Sequence, residues 1–237
     1  MNYLVVIPAR GGSKGIPHKN IYKVAGKPLL EYAIESMLGV KYNGDLVVST
    51  DDEMIAEVAH HYEGVIVIKR PDKLSADNAK TEDALIHALG WMQEIYNKEY
   101  DAVITLQPTS PLRTSETIQQ FILYFEKNLE NYDALLTLSE NRSDFWKKGS
   151  GGTYERLFPN APRRRQEREP LYVENSAIYV TTTKSLLETN SVLGQHVNGF
   201  VIDEQEAVDI NEFIDIALAE SLLLYKEGKN HEEYDNK

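Results

Sequence analysis

Short apolar runs alternate with amphipathic stretches along the first half of the chain. Residues 4–7, 45–49, 65–69, 102–106 and 134–138 are apolar segments of strand length. Between them lie segments with helical spacing: residues 28–38, 52–61, 81–96 and 115–129. In the first of these, Leu29, Leu30, Ala33, Ile34 and Met37 fall on one face. The third opens on Thr81, Glu82 and Asp83, a helix N-terminal signal. This βαβ rhythm predicts an α/β fold with a doubly wound, mostly parallel sheet. Ligands of such sheets sit beyond the carboxyl ends of the strands. The segments that follow Ile7, Ser49, Ile68 and Leu106 therefore converge on one edge.

The rhythm breaks near Ser139. Residues 139–175 are polar and rich in Gly, Pro and Arg, too long an irregular connection to be incidental. They read as an inserted arm, a hairpin excursion that returns to the core at residues 177–180. A last helix is expected over 211–227, with a frayed tail from Asn230 onwards. The expected organisation is a core of residues 1–138 and 176–237 with an arm of 139–175. No internal repeat is seen.

Composition narrows the function. Hydrophobic residues make up 42% of the 237, enough for a substantial core. A formal net charge of -12 argues against a broad nucleic-acid surface, which needs excess Lys and Arg. Cysteine is absent, which excludes disulfides and thiolate metal sites. No apolar run approaches the roughly 18 residues of a membrane span. The N-terminus enters a strand without a basic n-region or long apolar h-region. The expectation is a cytoplasmic protein with no membrane or nucleic-acid partner.

Against that acidic background stands IPARGGSKGIPHKN, residues 7–20. Gly11, Gly12 and Gly15 let the backbone approach an anion, and Arg10, Lys14 and Lys19 add cations. The spacing matches neither the P-loop nor the dinucleotide-binding glycine pattern. Two readings stand: a long triphosphate loop, or a glycine-rich turn with solvated lysines. LQPTSPLR, residues 106–113, follows a strand and offers Gln107, Thr109, Ser110 and Arg113. A third segment, residues 69–83, sets Arg70 after a strand and Thr81 at a helix start, where backbone N–H groups favour an anion.

Taken with STDD, RQEREPLYVENSAIYV and VDIN, these segments resemble the CMP-sialic acid synthetases, the acylneuraminate or nonulosonate cytidylyltransferases. The resemblance runs from about residue 3 to 220. It implies a Rossmann-like nucleotidyltransferase fold with a dimerisation arm, a homodimer, CTP as substrate and Mg²⁺ or Mn²⁺. It implies a reaction that joins a nine-carbon 2-keto sugar acid to CMP and releases pyrophosphate. Carried over by position, Arg10, Ser13, Lys14 and Lys19 hold the triphosphate, with Lys14, Arg10 and Lys19 as the catalytic cations. Asn20 and Arg70 contact the nucleotide, and Ala9, Ala79 and Thr81 line the base and ribose pocket. Gln107 lies between nucleotide and acceptor. Arg165 meets the acceptor carboxylate, and Trp146, Asn175 and Tyr179 complete that side, although Tyr179 also reads as core. Asp209 and Asn211 occupy the metal positions, where the family has two aspartates. Asn211 is either a ligand through its amide oxygen or the cap of the last helix. Asp51 is a ribose contact or a plain strand-end turn.

The chain departs from the sialic acid members in and beside the arm. Asp144, Phe145 and Trp146 change the expected pocket wall, Val173 replaces a polar position, and Ser176 stands where Gly is usual. Aromatic groups favour deoxy and methyl substituents, so legionaminate and pseudaminate join N-acetylneuraminate as expected acceptors. The alternatives are a cytidylyltransferase for the eight-carbon acid Kdo and a non-catalytic nucleotide-binding homologue.

Overall fold

The computed structural model describes residues 1–13, 15–76 and 78–235, with side chains of the last helix as far as Lys226. In chain order the elements are β1 (Asn2–Pro8), β2 (Lys23–Val24), β3 (Lys27–Pro28), α1 (Leu29–Leu38), β4 (Asn43–Thr50) and α2 (Glu53–His60). They continue with β5 (Val65–Lys69), α3 (Thr81–Tyr96), β6 (Ala102–Leu106), α4 (Ser115–Lys127) and β7 (Ala134–Asn141). The second half holds β8 (Trp146–Lys148), β9 (Tyr154–Arg156), β10 (Leu171–Thr182), α5 (Thr183–Thr189), β11 (Val197–Val201) and α6 (Phe213–Asp235).

Seven strands form the central sheet in the order β11-β7-β10-β6-β1-β4-β5. Pairings β1–β4, β1–β6, β4–β5 and β7–β11 are parallel, and β10 runs antiparallel to both neighbours. The apolar strand β1 is buried on both faces, as parallel central strands are. Tyr3, Val5 and Ile7 pack with Leu30, Ile34 and Phe121 of α1 and α4. Leu4 and Val6 point the other way, onto Leu85, Ala88 and Met92 of α3 and Leu186 of α5. A third cluster lies at the site edge: Ile16, Val24, Leu29, Leu112, Ile210, Ile216 and Ala219.

The doubly wound, mostly parallel sheet is present, and β5, α3 and β6 fall within the expected bounds. The differences lie in the short β2–β3 hairpin, which takes Pro28 from the expected helix, and in the second half. The β7–β10 ladder continues through Leu171–Asn141 pairing, so residues 139–141 and 171–175 extend the sheet. The excursion proper carries the hairpin β8–β9. Helix α6 starts at Phe213 and runs to Asp235, past the expected end and through most of the tail read as frayed. Helix α5 and strand β11 are additions that the sequence patterning did not suggest.

Candidate active site

The loop after β1 is held from three directions. The Ala9 amide donates to the Ser49 carbonyl at 3.0 Å, which prolongs the β1–β4 register by one residue. The Gly11 amide donates to Asp51 Oδ1 at 3.0 Å, so Asp51 pins the loop. A Cβ on Gly11 would stand 2.5 Å from Asp52 Oδ2, and one on Gly15 would stand 2.6 Å from the Asn211 carbonyl. These two glycines are therefore required by close approach, whereas a Cβ on Gly12 meets nothing within 4 Å. Ile16 is fully buried and packs with Ile210 and Ile216, fastening the loop to the segment before α6. Lys14 lies outside the described residues.

A cavity of about 370 Å³ opens beside this loop, at the carboxyl ends of β1, β5 and β6. The loop lends it Arg10, Lys19 and Asn20, and the end of β5 lends Arg70. Ala79, Lys80 and Thr81 bring the start of α3, whose N-cap Lys80 makes no side-chain cap bond. The first-turn N–H groups of α3 thus suit an acceptor-rich ligand edge. Gln107, Thr109, Ser176, Asp209 and Asn211 complete the wall. Ala9 and Ser13 are not among the lining residues: Ala9 is buried in the main core, and its neighbours Pro8 and Arg10 face the cavity instead.

Each cation is braced by the fold. Arg70 is 5% exposed and donates to Ser49 Oγ at 3.1 Å and to the Ser49 carbonyl at 2.6 Å. Burial pushes its guanidinium down to about 10, and Arg10 adds to that while Asp51 opposes it. Arg70 is thus a charged group held without a full ionic counterweight, a state that an anionic ligand relieves. Arg10 Nη1 donates to the Ser75 carbonyl at 3.3 Å. Lys19 Nζ donates to the Ile210 carbonyl at 2.9 Å and to Asn211 Oδ1 at 3.3 Å. Burial lowers the Lys19 pKa below its ordinary value, against the pull of Asp209 and Asp215. The Asn20 amide donates to the Arg10 carbonyl at 2.8 Å.

Arg113 organises the other wall. It is 4% exposed, and its Nη1 donates to the Ala177 carbonyl at 2.7 Å and the Gln107 carbonyl at 3.1 Å. Its Nε and Nη2 have no partner among the described residues. Burial pushes the guanidinium down to about 10, offset by Glu206. The Ile210 amide donates to the Thr109 carbonyl at 2.9 Å, tying the same loop to the Asp209–Asn211 stretch.

A hard cation fits that stretch. Asp209 Oδ1 is buried without a hydrogen-bond partner among the described residues, and its Oδ2 accepts from Asn211 Nδ2 at 2.7 Å. Asp209 and Asn211 line the same cavity and offer a carboxylate and an amide oxygen, ligands suited to Mg²⁺ when phosphate and water oxygens complete the shell. Among the described residues no group of three or more His, Cys, Asp or Glu could hold a metal alone. Asn211 does not cap the last helix. Its side chain is engaged by Lys19 and Asp209, and Asp215 of the first turn reaches back so that its Oδ2 accepts from the Asn211 and Glu212 amides, each at 2.8 Å. A carboxylate outcompetes a neutral amide at the positive helix end.

The acceptor-side residues divide. Asn175 is buried, and its side chain joins Thr137, Ser139 Oγ and the Ala177 amide. It borders a second cavity of about 300 Å³ that shares Ser176 and Asp209 with the first. Tyr179 is 7% exposed and reaches Glu174 and Ser176 with its hydroxyl. Trp146 and Arg165 sit exposed on the arm and line neither cavity. Asp144, expected in a pocket wall, lines a separate cavity of about 460 Å³ on the arm, where it accepts both Nε and Nη2 of Arg156 at 3.0 Å and also pairs with Arg168 and Arg163. These arginines, Arg156 foremost, hold its carboxyl below the usual range, and the cluster stiffens the arm.

A mostly parallel α/β sheet with a cation-lined cavity at its strand ends is the arrangement of a site for an anionic ligand such as a nucleotide. The chain belongs to the cytidylyltransferase family: residues 4–229 match the model described as Cytidylyltransferase. It is 33% identical over 237 residues to a pseudaminic acid cytidylyltransferase of Campylobacter jejuni, with 98% of this chain and 99% of the relative covered. It is 32% identical over 226 residues to a CMP-N,N'-diacetyllegionaminic acid synthase of Legionella pneumophila, with 94% and 97% covered. An N-acylneuraminate cytidylyltransferase of Escherichia coli shares 29% over 235 residues, and 54% of that longer protein is covered. In fold it is similar to a CMP:2-keto-3-deoxy-manno-octonic acid synthetase complexed with CTP, at TM-score 0.65 and 16% identity, covering 95% and 100% of the two chains.

Proposed function

We propose that the protein transfers a cytidylyl group from CTP to a nine-carbon 2-keto sugar acid of the nonulosonic class, releasing pyrophosphate. The anomeric hydroxyl attacks the α-phosphorus, the bond to the β-phosphate breaks, and pyrophosphate leaves with its electron pair while the hydroxyl proton passes to solvent. Such transfers depend on positioning and charge neutralisation rather than on a covalent enzyme intermediate. Arg10, Lys14 and Lys19 supply positive charge to the triphosphate, Arg70 and Asn20 fix the nucleotide, and Ser13 belongs to the same loop. Ala79 and Thr81 border the base and ribose. Gln107 separates nucleotide from acceptor. Asp209 and Asn211 hold Mg²⁺ or Mn²⁺, which when bound supplies charge neutralisation at the phosphates.

The observation that carries this reading is the convergence of Arg10, Lys19 and Arg70 on one cavity in a chain of net charge -12. Family membership and the nonulosonate relatives support the acceptor class. Exposed Trp146, Tyr154, Phe158 and Tyr172 near or on the arm support a homodimer in which Arg165 of one arm serves the acceptor side of the other subunit. No described helix is long and apolar enough to cross a membrane. Calorimetric titration with CTP, UTP and ATP in Mg²⁺ tests the nucleotide half: CTP binds at least tenfold tighter than the others, and equal affinities would overturn it.

A further inference from the structure

Strand β10 breaks register with β7 between Glu174 and Tyr179: Glu174 pairs with Leu138, and Tyr179 pairs with Leu136. The bulge carries Asn175, Ser176 and Ala177. Ser176 sits at φ +61°, a left-handed conformation that a residue with a Cβ rarely adopts. Strain of this kind persists only where the surroundings over-determine it. Here they do. On one side, buried Asn175 is tied to Thr137 and Ser139. On the other, the Ala177 carbonyl is gripped by Arg113.

The strained residue borders both cavities, as does Asp209. The larger cavity holds the cations, and the smaller is walled by Glu140, Glu174 and Glu204 with Asn175. Ser176 therefore stands where the two chambers meet, and Asp209, whose Oδ1 is buried without a partner among the described residues, lines the same two.

The state of the serine hydroxyl follows from its neighbour. Tyr179 Oη lies in hydrogen-bond contact with Glu174 Oε1 and, at 3.1 Å, with Ser176 Oγ. A phenol has one proton, and Tyr179 donates it in a hydrogen bond to the carboxylate, which can only accept. The serine proton then completes the Ser176–Tyr179 contact. Burial and the Glu174 carboxylate both push the tyrosine pKa up, so its proton stays in place. This relay leaves Ser176 Oγ with lone pairs and no proton for a ligand. It is an acceptor, fixed by strain at the junction of the cavities.

Resting on the function proposed above, we infer that Ser176 is a specificity-determining residue that accepts a hydrogen bond from an N–H or O–H of the sugar acid. The glutamates around it point to the same preference: this chamber selects an acceptor that presents donors, with amide N–H or hydroxyl groups facing β10.

The test compares Ser176→Gly and Ser176→Ala in the full chain. Both lose the hydroxyl, but only alanine keeps the backbone strain, so the glycine variant is the more stable. Steady-state pyrophosphate release is measured with CTP and N-acetylneuraminate, legionaminate and pseudaminate, alongside the CTP dissociation constant and the melting temperature. In both variants the acceptor KM rises about tenfold for the preferred acid, the loss of one hydrogen bond to a bound group. The kcat/KM ratios among the three acids change severalfold, and CTP affinity stays within about twofold. An impairment that follows stability, with glycine normal and alanine weak, makes Ser176 structural and overturns the inference. So do unchanged ratios in both variants. Absence of turnover by the wild-type chain with every acid would instead remove the cytidylyltransferase reading and this inference with it.

Discussion

Lys19 Nζ donates to the Asn211 side-chain oxygen at 3.3 Å, across 192 residues of sequence. A cation of the glycine-rich loop is thus bonded to a residue in the proposed metal stretch. The amide oxygen that would ligate Mg²⁺ is the one that the lysine uses, and the other end of the same amide donates to Asp209. Charge on the loop and the proposed metal stretch are coupled through Asn211.

Asn211→Asp replaces a donor with a second carboxylate beside Asp209. The 2.7 Å contact to Asp209 becomes a repulsion, so the metal-free variant loses about 1–2 kcal/mol of stability. Mg²⁺ then restores more stability to the variant than to the wild type, and half-saturation falls to lower Mg²⁺ concentration. Melting curves with and without Mg²⁺ measure both effects. Equal metal responses would remove Asn211 from the ligand set.

Burial lowers the Lys19 pKa in the free protein, so the lysine begins to lose its proton below the ordinary lysine range. In the interval between folded and unfolded values the unfolded chain binds more protons. Stability attributable to Lys19 therefore rises with pH through that interval. A bound triphosphate favours the charged form, so CTP affinity falls as pH climbs through the same window. Lys19→Arg keeps its charge and flattens the dependence. Titrations from pH 7 to 10 would show equal slopes for the two proteins if Lys19 does not meet the triphosphate.

The loop glycines separate by position. Gly15→Ala forces a Cβ against the Asn211 carbonyl, and Gly11→Ala forces one against Asp52, whereas Gly12→Ala enters open space. The first two lose at least tenfold in CTP affinity, and the third stays within about threefold. An equal loss at all three would show that chain flexibility rather than close approach sets the requirement.

Arg113→Met leaves the Ala177 carbonyl without its side-chain donor, the Gln107 carbonyl with only the long 3.5 Å contact to the Ser110 amide, and Glu206 without a facing charge. The expected destabilisation is about 3–5 kcal/mol in urea unfolding. Arg113→Lys recovers part of it, because an ammonium restores the charge and a donor in place of Nη1 but lacks the planar fork and the full reach of the guanidinium. A loss below about 1 kcal/mol would mean that the loop and bulge hold without this clamp.

The apolar runs read β5 and β6 directly, because a parallel sheet covered on both faces writes itself as uninterrupted Val, Ile and Leu, and helical spacing with the Thr81 start read α3. Four polar segments were expected at a common edge; those after β1, β5 and β6 line the cavity there, whereas the one after Ser49 does not line it and instead pins the first loop through Asp51. The second half was less legible. Strand β11, Val197–Val201, is interrupted by Asn198 and Gly199 and is largely exposed, so it carries little hydrophobic signal. The bulge at Asn175–Ala177 depends on Thr137 and Arg113, residues far away in sequence that no local pattern connects to it. Asn211 looked like a cap because amides often serve as one. Its side chain is engaged by Lys19 and Asp209 instead, and Asp215, four residues on, accepts from its backbone amide.

Pyrophosphate release tests the central claim most directly. The full chain is supplied with CTP, Mg²⁺ and, in turn, N-acetylneuraminate, legionaminate, pseudaminate and Kdo, with Lys14→Ala run in parallel. The predicted result is pyrophosphate and a CMP-linked sugar with at least one of the nine-carbon acids, little with Kdo, and near-complete loss in the Lys14 variant. CTP binding without pyrophosphate from any of the acids, or release that is independent of the acid supplied, would contradict the account.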